Sequence, residues 1–249
     1  DHVRPINPYG WSKLAIEGLL EGMCAARGWT CAALRYFNAA GAHPREWQHQ
    51  RICVPRLKSG IGSGGLMGCV GFPEEGGLLG ECHEPETHLV GRLAQMMLGP
   101  NPRAEIFGTD YPTRDGTAER DYVHVWDLAH AHACALDWTA ANAGKFDVFN
   151  IGTGKGTTVR EVIKAFEFVL KQPIEVAEMP RRAGDPSVLV ACVHKAKREL
   201  KYRAVLSSIT RMAADALDWA RTWQEQNPRN QITEIKTWNI KSRKPRNGR

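Results

Sequence analysis

The 249-residue sequence contains no apolar run near the roughly 20 residues that a membrane-spanning helix requires, so no membrane association is expected. No stretch reads as a secretory leader. Its seven cysteines include no CxxC pair. Cys24, Cys31, Cys134 and Cys192 fall in apolar patterns and read as small core residues. This usage suits a reducing, cytoplasmic setting. A zinc site needs clustered ligands, and only "ECHEPETH", with Cys82, His83 and His88, groups them. Its spacing fits no usual site, so no metal is expected. A phosphate loop of the GxxxxGK[ST] type is also absent. "NIGTGKGTT" comes nearest, but its spacing fails and Gly156 follows Lys155, so it gives no support to an ATPase reading. Thr157 or Thr158 is instead expected to cap the next helix. "GIGSGG" (Gly60, Gly62, Gly65) comes close to a dinucleotide loop, but no strand precedes it and no amphipathic helix follows.

Acidic residues are scarce in one place. Residues 226–249 hold seven Lys or Arg and one acid, which accounts for the whole net charge of +6; the remaining 225 residues are balanced. A nucleic-acid-binding fold would carry its basic stripe on folded elements. Here the charge sits in a tail that reads as solvated, so no nucleic-acid partner is expected. An RNA-contacting tail is the alternative, tested by deleting it.

What is present is an ordinary globular composition, 43% hydrophobic and 24% charged. Leu14, Ile16, Leu19, Leu20 and Met23 recur near a 3.6-residue period, giving a helix over 8–27 that Gly28 closes. "TCAALRYF" (30–37) reads as a buried strand and "NAAGAHP" as a loop. Helices are expected at 89–98, from about Asp127, at 157–171, at 193–201 and at 207–224. "AEIF", "KFDVFNIGTG" and "PIEVAEMP" read as strands between them. This alternation predicts an α/β fold with parallel pairing. Residues 45–77 hold eight glycines and no sustained period, and read as an irregular insertion. The chain starts at Asp1 and enters a helix within ten residues, which reads as a chain cut inside a domain.

Tyr9 and Lys13, spaced i and i+4, project from one helix face. An ammonium beside a phenol favours the phenolate, and such a phenol can act as a general base. YxxxK alone is common by chance, and a solvated Lys beside an amphipathic Tyr explains it equally.

The surrounding blocks decide between these. "PINPYGWSKLAIE", "ALRYFNAAGAHP", "FGTDYPTRDGTAERDYVHVWDLAHAH", "FNIGTGKGTTVREVIKAFE" and "PRRAGDPSVLVA" together resemble the UDP-glucose (UDP-galactose) 4-epimerases of the extended short-chain dehydrogenase/reductase family. The resemblance covers 5–44 and 78–222. It implies a Rossmann-like doubly wound domain whose end is 1–44, a smaller mixed α/β substrate lobe with returning Rossmann elements at 78–225, an insertion at 45–77 and a basic tail at 226–249. It implies NAD as cofactor, a UDP-sugar as substrate and a homodimer when complete.

By the same resemblance, Tyr9 takes the proton of the sugar 4-hydroxyl and Lys13 holds the nicotinamide ribose. Tyr36 and Phe37 lie beside the nicotinamide. Asn38 bonds the substrate, though a turn Asn fits that place too. Thr87, His88 and Leu89 open a helix against the nucleotide diphosphate. Glu105 and Phe107 line the uracil pocket; a core strand Phe fits equally. Arg120 and Arg182 clamp the pyrophosphate with guanidinium forks. Asp185 holds the uridine ribose, and Leu189 occupies the position that gates N-acetylated sugars. Asp121 and His124 are expected to be structural, and His130 and His132 to have no site role. The family's glycine-rich NAD turn precedes the Tyr-Lys helix, and only eight residues precede Tyr9 here. A UDP-pentose 4-epimerase and a catalytically inactive nucleotide-sugar-binding module are the rival expectations. Lys201-Tyr202 stands where Gly-Trp is usual in the family.

Overall fold

The computed structural model describes residues 5, 7–47, 79–81, 83, 85–99 and 102–227. The insertion beyond Trp47 and the tail beyond Asn227 lie outside them, as does Cys82. In chain order the elements are α1 (Pro8–Arg27), β1 (Cys31–Tyr36), β2 (Asn38–Ala40), a 3-10 turn (Arg45–Trp47), α2 (Leu89–Met97) and β3 (Arg103–Phe107). Then follow β4 (Glu119–Arg120), β5 (Tyr122–His124), α3 (Val125–Ala141), β6 (Phe146–Ile151) and β7 (Thr157–Thr158). The last are α4 (Val159–Leu170), β8 (Glu175–Met179), β9 (Val188–Leu189), a π-helical turn (Ala196–Leu200) and α5 (Ile209–Gln226).

Local chemistry sets the ends of α1. The Asn7 side chain accepts the Gly10 N–H at 2.8 Å, Pro8 fits the first turn, and Gly28 leaves the helix at φ 67°. The expected apolar face of α1 is largely uncovered: Ile16 and Leu19 are exposed, and Cys24 is its one buried residue.

The α/β alternation and parallel pairing hold. β1 pairs with β6 in parallel, β2 with β5 and β3 with β8. β4 lies between β7, antiparallel, and β9, parallel. One core packs α2, α4 and α5 over β3 through Leu93, Ile106, Val162, Phe166, Met212 and Leu217. The other joins β1, β6 and α3 through Val123, Trp138, Phe149, Ile151 and Tyr202. Trp138 meets Phe149 edge-on at 5.2 Å between ring centroids. Burying one such phenylalanine contributes about 1.5–3 kcal/mol.

Four expectations need correction. β1 is half-buried rather than buried along its length, and Tyr36 at its end is exposed. "NAAGAHP" is not all loop, because Asn38–Ala40 finds ladder partners in β5 that no local pattern announces. α3 starts at Val125 rather than near Asp127, because His124 Nδ1 accepts the Trp126 N–H at 3.0 Å and caps the helix. Cys192 is exposed and no core residue, whereas Cys24 is buried and Cys31 and Cys134 are half-buried.

Candidate functional site

Tyr9 lies in the first turn of α1 and is 71% exposed. Lys13, one turn on, places its Nζ 5.1 Å from the centre of the Tyr9 ring. Ser12 Oγ donates to the Tyr9 carbonyl at 2.8 Å, which braces that turn. α1 is tied to β1 by Arg35, whose Nε donates to Glu17 Oε1 at 2.6 Å. That hydrogen bond raises the Arg35 guanidinium above its ordinary value. Tyr36 ends β1 half-exposed, with its ring 6.1 Å from that of His132. Ligands meet α/β sheets at such carboxyl ends of parallel strands. Phe37 donates its N–H to the Ile151 carbonyl at 3.3 Å, and Asn38 donates its own to the Asp121 carbonyl at 3.0 Å.

That last bond joins the Tyr36–Asn38 strand end to the arginine group. Asp121 is buried and serves as a hub. Its carboxylate accepts from Thr153 N at 2.9 Å, Thr153 Oγ1 at 2.7 Å, Gly154 N at 2.9 Å and Ala191 N at 3.2 Å. Each bond ties the β6–β7 turn or the segment after β9 to the junction of β4 and β5. His124, also buried, spans the caps of α3 and the Asp215 carboxylate, with Nε2 3.0 Å from Oδ2. Both residues therefore hold the frame beneath the site.

On that frame Arg120 Nη2 donates to Asp185 Oδ1 at 2.8 Å, and its Nη1 donates to the Glu119 carbonyl at 2.9 Å. Leu189 is opposite Arg120 in the β4–β9 register and is half-exposed. Arg182 lies over the Phe107 ring, with Cζ 4.0 Å from its centre. Phe107 thus meets a guanidinium plane at the end of β3 and is no part of the buried core. Burial pushes the Tyr122 hydroxyl upward, against the pull of Arg120. The structure therefore gathers Phe107, Arg120, Arg182, Asp185 and Leu189: two guanidiniums, a carboxylate and an aromatic face suited to an anionic, ring-bearing ligand.

Glu105 engages elsewhere. Its carboxylate pairs with Arg92 of α2, which locks β3 to that helix. Thr87 and His88 both donate their N–H groups to Glu86 Oε1, at 2.7 and 2.8 Å, and Leu89 begins α2. The His88 Nδ1 lies 3.0 Å from Glu81 Oε1, and His83 Nδ1 lies 3.1 Å from the same oxygen. This grouping of Glu81, His83, Glu86 and His88 is not foreseen from the spacing. The sequence signals it only as the ligand-rich stretch "ECHEPETH", in which Glu-x-His occurs twice, at 81–83 and 86–88.

A cavity of about 380 Å³ lies between β1 and α3, lined by Leu34, Tyr36, His132 and Leu136 among others. Of the candidate site residues it includes only Tyr36, and neither Arg120 nor Arg182 lines it.

The sequence matches the NAD dependent epimerase/dehydratase family over residues 1–73 and 76–152. A UDP-glucose 4-epimerase of Halalkalibacterium halodurans is 37% identical over 236 residues, 95% of this chain and 60% of that protein. The Bifidobacterium longum enzyme of that name is 38% identical over 226 residues, covering 89% of this chain and 55% of its own length. Its crystal structure in complex with NAD+ and UDP overlays with a TM-score of 0.70, covering 92% of this chain and 57% of that one at 35% identity. A Stenotrophomonas maltophila UDP-glucose-4-epimerase, with bound NAD and formylated UDP-arabinopyranose, gives a TM-score of 0.72 at 33% identity, covering 90% and 57%. The chain thus spans a little over half the length of these relatives, and its α/β architecture is theirs.

Proposed function

Given that the chain belongs to the NAD dependent epimerase/dehydratase family, we propose that it acts in the epimerisation of a UDP-hexose at C4, interconverting UDP-glucose and UDP-galactose. The observation that carries this reading is the Tyr9–Lys13 pair, 5.1 Å apart and open to solvent at one end of the α1–β1 unit. It stands on a fold that also gathers Arg120, Arg182, Asp185 and Phe107.

The residues present suit the nicotinamide end of NAD. Tyr9, Lys13 and Tyr36 are all exposed, and they offer a phenol, an ammonium and an aromatic ring where α1 and the end of β1 meet solvent. In this reading Lys13 holds the nicotinamide ribose, and Tyr36 and Phe37 stand beside the ring. NAD, when bound, would supply a two-electron acceptor able to take a hydride from C4 and give it back. Everything else falls to the side chains.

Arg120 and Arg182 hold the substrate's diphosphate, the first leaving Asp185 to do so, and Phe107 offers its ring to the uracil. Asp185, released from Arg120, is then placed for the ribose hydroxyls. Thr87, His88 and Leu89 meet the diphosphate from the α2 terminus, and Asn38 meets the sugar. Tyr9 receives the proton of the 4-hydroxyl, with the Lys13 charge beside its ring, and returns it once the 4-keto sugar has presented its other face. Holding the diphosphate at a distance leaves the sugar ring free to turn, which is what an inversion without net oxidation requires. A cytoplasmic homodimer and the division into a Rossmann-like end, an insertion, a substrate lobe and a tail belong to the same reading. Among the described residues no helix is long and apolar enough to cross a membrane.

The test is a coupled assay of the whole gene product converting UDP-galactose to UDP-glucose with NAD. Tyr9→Phe is expected to lower kcat by about 10²–10⁴ while UDP binding is unchanged. Undiminished turnover in Tyr9→Phe overturns the reading.

A further inference from the structure

We propose that Glu81, His83, Glu86 and His88 form a binding site for a divalent transition-metal ion of the zinc class, at the entrance to α2. One ligand atom from each of the four lies within 4.8 Å of the other three. The individual separations are more telling. His83 Nδ1 and His88 Nδ1 lie 3.1 and 3.0 Å from Glu81 Oε1, and 3.9 and 3.5 Å from the two oxygens of Glu86. Zinc bonds to imidazole nitrogen and carboxylate oxygen are about 2.0–2.2 Å, so the edges of a tetrahedron of such ligands are roughly 3.3–3.5 Å. These four separations bracket that edge, and no pair among the four donors is wider than 4.8 Å. Shifts of about an ångström or less bring the donors around one ion.

The donor chemistry agrees. Two neutral imidazoles and two carboxylates carry a charge of −2, which a divalent cation neutralises, and imidazole with carboxylate suits zinc, nickel and cobalt over calcium or magnesium. The two rings already face the same point, with centroids 5.4 Å apart.

One ligand is also held in place before any ion arrives. The Glu86 side chain is 2% exposed, and its Oε1 accepts the N–H groups of Thr87 and His88 at 2.7 and 2.8 Å. Oε2 of the same carboxylate retains its lone pairs. A Cβ at Gly91 would stand 2.8 Å from that oxygen, so the absence of a side chain at Gly91 makes room for the carboxylate. A ligand fixed by hydrogen bonds and packing is the second-shell support that metal sites use. The opposing backbone is fixed as well: the Trp219 Nε1–H of α5 donates to the Glu81 carbonyl at 2.8 Å. The first amides of α2 disfavour a cation nearby, but the Glu86 carboxylate, bonded to the N-cap His88 N–H and to that of Thr87 before it, adds its own negative charge there.

The experiment titrates the full chain with Co²⁺ alone, read by visible absorption, then with Zn²⁺ as competitor. One Co²⁺ per chain is expected, with the intense bands of a four-coordinate ion that Zn²⁺ abolishes. His83→Ala and Glu81→Gln, both at exposed positions, are each expected to weaken binding at least about tenfold. Far-UV circular dichroism checks that each keeps its fold. Cys192→Ser/His194→Ala removes the exposed pair whose Sγ and Nδ1 lie 3.6 Å apart, and is expected to bind as the wild type does. No Co²⁺ bands in the wild type, equal affinity in His83→Ala or Glu81→Gln, or loss of the bands in the Cys192/His194 variant overturns the proposal.

Discussion

Arg120 and Asp185, 65 residues apart in the chain, are held together by a hydrogen-bonded ion pair of 2.8 Å between Nη2 and Oδ1. The pair satisfies both charges when no diphosphate is near, so any anion must displace Asp185 to use the Arg120 fork. A pair this close to solvent contributes no more than about 1 kcal/mol to stability. A charged hydrogen bond to a phosphate is worth about 1.5–3 kcal/mol, or roughly 10–100-fold in affinity.

Arg120→Ala is therefore expected to leave the melting temperature nearly unchanged and to weaken UDP binding by about 10–100-fold in calorimetry. Arg182→Ala is expected to behave in the same way. Equal UDP affinity in both variants excludes them as the diphosphate clamp.

The buried Asp121 hub gives a second prediction, this time about stability. Four N–H and O–H groups point at one carboxylate in a site without solvent. Removing it leaves those donors unsatisfied, which costs about 1–3 kcal/mol for each group that finds no water. Asp121→Ala is expected to lose at least about 3 kcal/mol in denaturant unfolding, and far more than Arg120→Ala. Gly152→Ala tests the same frame by crowding it, since the new Cβ would meet Asp121 Oδ2 at 2.6 Å and Ala191 Cβ at 2.8 Å. A loss of about 1–3 kcal/mol is expected there.

How far the sequence reaches depends on how local each cause is. The ends of α1 are legible because Asn7, Pro8 and Gly28 act within a few residues of where they stand. The capping box of α4 is legible for the same reason. Thr158 Oγ1 accepts the Glu161 N–H at 3.2 Å, and the Glu161 carboxylate accepts the Thr158 N–H at 2.9 Å. Strands of two or three residues, such as β2, β4, β7 and β9, have no period to read, and they exist only because distant partners arrive. The exposure of α1 is not legible, because an apolar stripe records what a helix can cover and not what covers it in this chain. Within the candidate site, Arg120, Arg182, Asp185 and Phe107 are suggested by the family blocks, whereas the Arg120–Asp185 and Arg182–Phe107 contacts are visible only in the structure. The Glu81–His88 grouping escapes zinc spacing rules because two of its four members are glutamates, which those rules for cysteine and histidine pairs do not count.

Acid should unlock one ion-pair cluster. Arg114 pairs with Glu161 and Glu119, with Nη1 3.0 Å from Glu119 Oε2. The Arg114 hydrogen bond holds the Glu161 carboxyl below its usual value. Burial opposes ionisation of Asp115, yet hydrogen bonds from Thr158 and Thr117 outweigh it and hold that carboxyl low as well. A carboxyl lowered by folding stabilises the native state fully above its unfolded value, about 4, and this is lost as pH falls through the folded value. The wild type is therefore expected to melt higher than Arg114→Met at pH 7, and the gap is expected to close as pH drops below about 4. A gap that stays constant from pH 7 to 3 contradicts the assignment.

The departure from Gly at Lys201 carries the last prediction. Lys201 closes the π-helical turn at φ 58°, a left-handed conformation that costs a residue with a Cβ about 1–2 kcal/mol. Its Nζ donates to the Arg198 carbonyl at 2.8 Å, an exposed contact of small worth. Glycine removes the steric cost but adds about 0.5–1 kcal/mol of unfolded-chain freedom. Lys201→Gly is accordingly expected to stabilise the protein by about 0.5 kcal/mol. Gly28→Ala is the mirror experiment, because Gly28 sits at φ 67° with open space around it, and backbone strain is the only new term. It is expected to destabilise by about 1 kcal/mol. Opposite signs in thermal unfolding identify left-handed strain as the shared cause. If Lys201→Gly melts lower than the wild type, the Lys201 side chain contributes more to that turn than its strained backbone costs.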